Sequence, residues 1–167
     1  MTPLEAETLA LARSYVGKLW EDKGPNESKW GEIERIQAFC GARPGDPWCA
    51  ALVSWCILKS AVAVPPTFLR SAGALRLLAR NPHLSIDRAS AMSLLRQGTP
   101  LVFIMDMGGG KGHAGFAAGL LPGDLLLSLE GNTGPGPAAA AQDRDGDGMY
   151  ERRDRRFEDV DGWLRIA

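Results

Sequence analysis

The sequence predicts an α+β fold, with helices first and an antiparallel sheet after them. Three observations predict it. Apolar residues recur at helical spacing through the first part of the chain, and from Leu101 onward the pattern changes to a short apolar run followed by strand-like segments. No internal repeat or interdomain linker interrupts the 167 residues, so residues 1–167 are expected to form one domain. A chain of this length buries roughly 70% of its unfolded surface. With 45% hydrophobic and 23% charged residues, it is unlike disordered, collagen-like or coiled-coil sequences.

Each element has its own signal. Thr2-Pro3-Leu4-Glu5 is a capping box with proline at the first helical position, and the helix it opens ends near Gly17 to Trp20. After a polar loop from Glu21 to Lys29, a second helix is expected from Ser28 to Cys40, with Ile33, Ile36 and Phe39 along one side. Asp46-Pro47 opens a third, mostly apolar helix from Trp48 to about Ser60, and two shorter helices are expected near Arg70–Arg80 and Ile86–Arg96. Leu101 to Met105 reads as a central strand. His113–Gly119 and Asp124–Glu130 read as a hairpin turning through Leu120-Leu121-Pro122-Gly123, and Met149–Phe157 and Gly162–Ile166 as the closing strands. Gly131–Ala141 reads as a surface loop.

Nineteen basic and twenty acidic side chains give a formal charge of −1, which argues against a nucleic-acid partner for the whole surface. No apolar run approaches the ~18 residues of a membrane span. The first residues lack the basic and apolar regions of a signal peptide, so the expectation is synthesis in the cytoplasm, with any action on a cell wall or periplasm following release or secretion. A monomer is expected. Three cysteines make no disulfide framework. Cys49 and Cys56, on one helix, are separated by about 10 Å of rise, beyond the ~7 Å disulfide limit.

A free thiol raises the question of reactivity. With Asp46 as N-cap and Pro47 first, Cys49 falls at the third helical position, where the dipole and unpaired N–H groups favour a thiolate. The alternative is a small buried hydrophobe, a reading that suits Cys56 and Cys40. Of the two histidines, His83 sits in a loop context and reads as solvated, whereas His113 begins a strand. A four-residue hairpin loop puts Glu130 directly opposite His113; a shift of two residues puts Asn132 there instead. Both registers keep His113, Glu130 and Asn132 on one face and Leu125, Leu127 and Leu129 on the other. A solvated strand-end acid beside a chance histidine is the alternative. Cysteine, histidine and acid together suit a cysteine–histidine mechanism, with the acid orienting the imidazole.

At these residues, Asp46-Pro47-Trp48-Cys49-Ala50-Ala51-Leu52-Val53-Ser54-Trp55, Gly112-His113-Ala114-Gly115-Phe116 and Glu130-Gly131-Asn132-Thr133, the sequence resembles the CHAP family of peptidoglycan amidases and endopeptidases. That family belongs to the papain-like NlpC/P60 superfamily. The resemblance runs nearly end to end, through Gly146–Tyr150 and Gly162–Arg165. It implies a CHAP-like catalytic domain of papain-like fold, in which N-terminal helices pack on the antiparallel sheet. Cys49 matches the nucleophile, His113 the general base and acid, Glu130 the orienting acid and Asn132 an auxiliary polar residue; Trp48 is assigned to substrate contact. The family's Gly-Asp before the central strand is Gly98-Thr99 here. The implied function is cleavage of an amide bond in bacterial peptidoglycan, by an endolysin or a toxin-like effector, with no cofactor required. The alternatives are a catalytically silent wall-binding module and a cysteine acyltransferase of the same superfamily. The second is disfavoured because its histidine precedes its cysteine.

Three further patterns stand out in the sequence. Gly108-Gly109-Gly110-Lys111-Gly112 lacks the Ser or Thr and the helix of a phosphate loop, and reads as a turn or an open rim beside His113. Asp143, Asp145 and Asp147, with Gly148 and a position-12 acid at Asp154, resemble the opening of a calcium loop, with a plain acidic turn as the alternative. Arg152, Arg153, Arg155 and Arg156 read as a solvated strand face, with contact to an anionic wall polymer as the alternative.

Overall fold

The structure is a computed structural model that describes residues 1–60, 62, 67–135 and 146–166. Five α-helices and a six-stranded antiparallel sheet lie among them, so the α+β class holds. The helices are α1 (Pro3–Tyr15), α2 (Glu32–Phe39), α3 (Cys49–Lys59), α4 (Ala74–Arg80) and α5 (Arg88–Arg96). The strands are β1 (Ser85–Ile86), β2 (Leu101–Gly108), β3 (Lys111–Leu121), β4 (Leu125–Thr133), β5 (Gly148–Arg156) and β6 (Gly162–Arg165), in the order β1-β6-β2-β3-β4-β5. No helix among the described residues is long and apolar enough to cross a membrane.

Helix starts follow local chemistry. Thr2 and Glu5 close the capping box of α1, and Asp87 caps α5 by accepting the Ser90 N–H at 2.9 Å. Helix α2 begins later than its apolar pattern suggests because Gly31, at φ 74°, turns the chain left-handed. Ser28 lies before that turn and accepts the Ile33 N–H at 3.1 Å. Helix α3 also differs from expectation. The Asp46 carboxylate is spent on the Arg43 N–H at 2.7 Å, so Trp48 is the N-cap residue and Cys49 is the first helical residue, not the third. The short strand β1, pairing with β6, carries no signal in the sequence.

Helices cover both faces of the sheet rather than one. Alternation along β2 sends Val102 and Ile104 into a core built with α1 to α4, and Leu101 and Phe103 into a second core with Ala91 and Leu95 of α5, Phe157, Val160 and Trp163. Between β2 and β3 the glycine run makes a two-residue hairpin turn, Gly109 and Gly110, both at positive φ, as a primed turn requires. The β3–β4 turn is shorter than the expected four residues. Leu121 pairs with Leu125, and a bulge between Ala117 and Gly119 then brings Phe116 opposite Leu129.

Helix α3 is seated on β4 through a missing side chain. A Cβ at Gly131 would run into Leu52 of α3 and Trp48 before it. Gly119, by contrast, faces open space. Gly131→Ala is therefore expected to destabilise the fold by about 1–3 kcal/mol through overpacking. Gly119→Ala should be neutral or slightly stabilising, because it restricts only the unfolded chain. Urea unfolding of both variants checks the contrast; equal midpoints would refute it.

Candidate active site

The site lies where the N-terminus of α3 meets β3 and β4. The β3–β4 ladder reaches Phe116–Leu129, and beyond it the Ala114 N–H is turned to the Cys49 thiol. Carrying the register on would set Gly115 beside Glu130 and His113 beside Asn132, two residues away from the pairing that places Glu130 opposite His113. Glu130 nevertheless reaches the imidazole, its Oε2 lying 2.9 Å from His113 Nε2. Gly115 makes this diagonal reach feasible. A Cβ there would stand 3.0 Å from Glu130 Cγ and 2.7 Å from the Phe103 ring.

Cys49, His113 and Glu130 are all buried. With Nε2 committed to Glu130, Nδ1 is the ring nitrogen left for the thiol. Burial opposes ionisation of Cys49, but the hydrogen bond and charge of His113, with the N–H groups of Ala114 and Ala50, outweigh it and lower the thiol pKa. Burial likewise disfavours the imidazolium, yet bonds to Cys49 and Glu130 and their charges push His113 up to about 9. Both shifts favour a thiolate–imidazolium pair over the neutral one. Cys56 lacks such partners, and burial drives its thiol far above the usual range; burial also raises Cys40.

Glu130 is surrounded by donors. Ser128 Oγ donates to its Oε1 at 2.5 Å, and Arg155 donates through Nε at 3.1 Å and through Nη2 to Oε2 at 2.8 Å. Burial works against the carboxylate, but His113 and Arg155 hold it well below the usual carboxylate range. Arg155 was not singled out by sequence. Together with Arg152 it is buried, contrary to the solvated-face reading of that cluster. The physical reason is a bulge: Leu126 faces Arg155 and Ser128 faces Arg152, so β5 carries one residue more than β4 and both guanidinium groups turn inward.

The remaining residues assigned from sequence fall elsewhere. Asn132 is buried, at φ 55°, and borders the same cavity as Cys49 and His113. With its amide nitrogen turned toward the N-terminal loop, it donates to Glu21 Oε1 and Asn26 Oδ1, both at 2.9 Å, so its amide braces that loop. Trp48 is fully buried and offers a ligand no surface; its indole N–H donates to the same Glu21 oxygen at 2.8 Å. Its assignment to substrate contact is therefore replaced by a packing role. Gln37 completes this scaffold, donating to the carbonyls of Asn26 at 2.9 Å and Asp46 at 2.6 Å. Glu21 and Gln37 were missed because single polar residues in a loop and a helix carry no pattern.

Of the calcium-loop acids, Asp143 and Asp145 lie outside the described residues. Asp147 accepts from the Tyr150 hydroxyl at 2.7 Å. Asp154 is held by Arg152 through bonds of 3.0 and 2.6 Å, so its carboxylate is already engaged. A cavity of about 690 Å3 opens beside Cys49 and His113, bordered also by Asp46, Arg76, Lys111 and Gly112. Comparison with protein-family models, with curated proteins and with solved structures found no match.

Two outcomes are expected from this geometry. Iodoacetamide near neutral pH should alkylate Cys49 before Cys40 or Cys56, and His113→Ala should slow that reaction more than about tenfold by removing the cation that stabilises the thiolate. Equal labelling of the three thiols, read by peptide mass spectrometry, would refute the ion pair. Arg155→Met strands a buried carboxylate and should cost about 3–5 kcal/mol in urea unfolding, whereas the exposed Arg153→Met should cost less than about 0.5 kcal/mol.

Proposed function

We propose that this chain is a cysteine hydrolase that cleaves an amide bond in bacterial peptidoglycan, as an N-acetylmuramoyl-L-alanine amidase or a peptide endopeptidase of the CHAP type with a papain-like, NlpC/P60-type fold. What carries the reaction class is the placement of the Cys49 thiol against the His113 imidazole at the edge of an open cavity, with Glu130 2.9 Å behind the ring. The choice of peptidoglycan rests on the resemblance of the cysteine, histidine and Glu-Gly-Asn segments to the CHAP family. An endolysin or a toxin-like effector is the setting that this activity suits.

The chemistry follows from the geometry. Cys49 thiolate attacks the amide carbonyl, and the His113 imidazolium gives its proton to the departing amine, leaving a thioester. Neutral His113 then takes a proton from water, which hydrolyses the thioester and frees the thiol. As the first residue of α3, Cys49 has no intrahelical acceptor for its N–H, which is thus positioned to donate to the oxyanion. Glu130 holds the ring in place and stabilises its charge through both steps. No step requires a metal.

Incubation with purified peptidoglycan, with mass spectrometry of the released fragments, tests the reading and identifies the bond. Cys49→Ala should release nothing while keeping the wild-type circular dichroism; release by that variant, or none by the wild type, overturns the proposal. Activity should rise through a Cys49 pKa below the ordinary thiol range, as the thiolate forms. It should fall again as pH passes about 9, where His113 loses the proton that the leaving amine needs. Glu130→Gln should cut the rate more than about tenfold and lower the His113 pKa, because it removes an anion that favours the imidazolium. NMR titration of the imidazole reads the shift directly.

A further inference from the structure

We propose that Glu21 is a positioning residue for the Cys49–His113 pair: its carboxylate joins the residue before the nucleophile to the strand that carries the orienting acid. Trp48 immediately precedes Cys49, and its indole N–H donates to Glu21 Oε1 at 2.8 Å. Asn132 stands two residues beyond Glu130, and its amide donates to the same oxygen at 2.9 Å. The other carboxylate oxygen, Oε2, accepts the Asn26 N–H at 2.7 Å. The main chain delivers Glu21 to this spot. Its own N–H donates to the Asp147 carbonyl at 2.8 Å, and the next residue, Gly148, pairs with Thr133 of β4. The effect of Glu21 on rate rests on the hydrolase reading; its effect on the thiol does not.

These contacts close a ring. The six-membered part of the Trp48 indole lies on Gly131, where a Cβ would collide with it, and Gly131 joins Glu130 to Asn132. Packing on a glycine leaves an aromatic ring free to slide, whereas a hydrogen bond is directional, so the bond to Glu21 fixes where the ring stops. The N–H of Cys49 belongs to the peptide unit that joins it to Trp48, and no side chain caps the helix there. Asn132 needs the same anchor for a second reason. Its backbone is left-handed, at φ 55°, a conformation open to asparagine that the surroundings must hold. A carboxylate is the group this place requires. Each of its oxygens accepts from an N–H, and an amide would turn an NH2 toward one of those donors. Cys49 and Asn132 border the cavity and, among the described residues, Glu21 does not, so Glu21 acts through its neighbours rather than on a ligand.

The test compares Glu21→Gln with Glu34→Gln, each checked for folding by circular dichroism. Glu34 braces the same loop through Ser28 Oγ at 2.8 Å and Lys23 at 3.9 Å, not through Trp48 or Asn132. With a soluble muropeptide as substrate, Glu21→Gln should lower kcat more than about tenfold and leave KM within about twofold, the pattern of a misplaced reacting group beside an intact cavity. The pH midpoint of Cys49 alkylation by iodoacetamide should rise toward the ordinary thiol value, because a displaced thiol loses contact with His113. Loss of an anion acting only through space would move that midpoint the other way. Glu34→Gln should keep the wild-type kcat and alkylation midpoint while unfolding at lower urea. Glu21→Asp keeps the charge but shortens the reach by one methylene; it should match Glu21→Gln, and it serves if the amide variant does not fold. Wild-type kcat with an unchanged or lowered midpoint in a folded Glu21 variant, or equal changes in Glu34→Gln, overturns the positioning role and leaves the hydrolase reading standing. A wild-type protein that cleaves neither the muropeptide nor intact peptidoglycan overturns the hydrolase reading. The alkylation midpoint, which needs no substrate, then decides the positioning role by itself.

Discussion

A carboxylate shut away from water must be matched by positive charge, and around Glu130 that requirement organises the whole site. Its side chain is fully buried, between the imidazole of His113 on one side and the guanidinium of Arg155 on the other. With the Cys49 thiolate added, four buried groups alternate in sign in their order of contact: thiolate, imidazolium, carboxylate, guanidinium. The string is neutral as a whole, and each charge has an opposite neighbour at hydrogen-bond distance, which is the condition under which buried ions are tolerated. Removing an inner member breaks two contacts. The histidine can therefore carry a proton at neutral pH in spite of its burial, and the thiol can part with one.

This electrostatic string depends on places where side chains are absent. Gly115 leaves the corridor through which Glu130 reaches the ring, and Gly131 lets the start of α3 settle on β4 so that the thiol arrives at the Ala114 N–H. Behind the helix start, Glu21, Asn26, Gln37 and Asn132 tie the lead-in loop to the sheet through buried and half-buried hydrogen bonds. Trp48 is part of that tie. Helix α3 has no side-chain cap of its own, and its position comes from these long-range bonds and from packing rather than from local sequence.

Much of this was legible in advance, for identifiable reasons. Strong local signals survived folding: the capping box at Thr2 and the apolar run at Leu101 are each decided by neighbouring residues. The alternation that puts His113 and Glu130 on one face was legible as well. What alternation could not reveal were the two bulges. One, near Ala118, moves the hairpin register by a residue; the other, opposite the Leu126–Ser128 stretch, turns both Arg152 and Arg155 inward. A bulge has no signature in a single sequence, so the partner of Glu130 on its far side could not be read from spacing. The burial of Trp48 was equally hidden, because an aromatic beside a nucleophile suits a wall and a floor equally well.

The separation of Cys49 from Cys56 along one helix has a consequence for the redox life of the molecule. A thiolate is the form that peroxide attacks, and the first product, a sulfenic acid, is rescued when a second thiol condenses with it. Cys56 lies two turns further along the same helix, about 10 Å away by helical rise, which is too far for a bond to form without unwinding the helix. Oxidation of Cys49 thus has no relief through its helix neighbour.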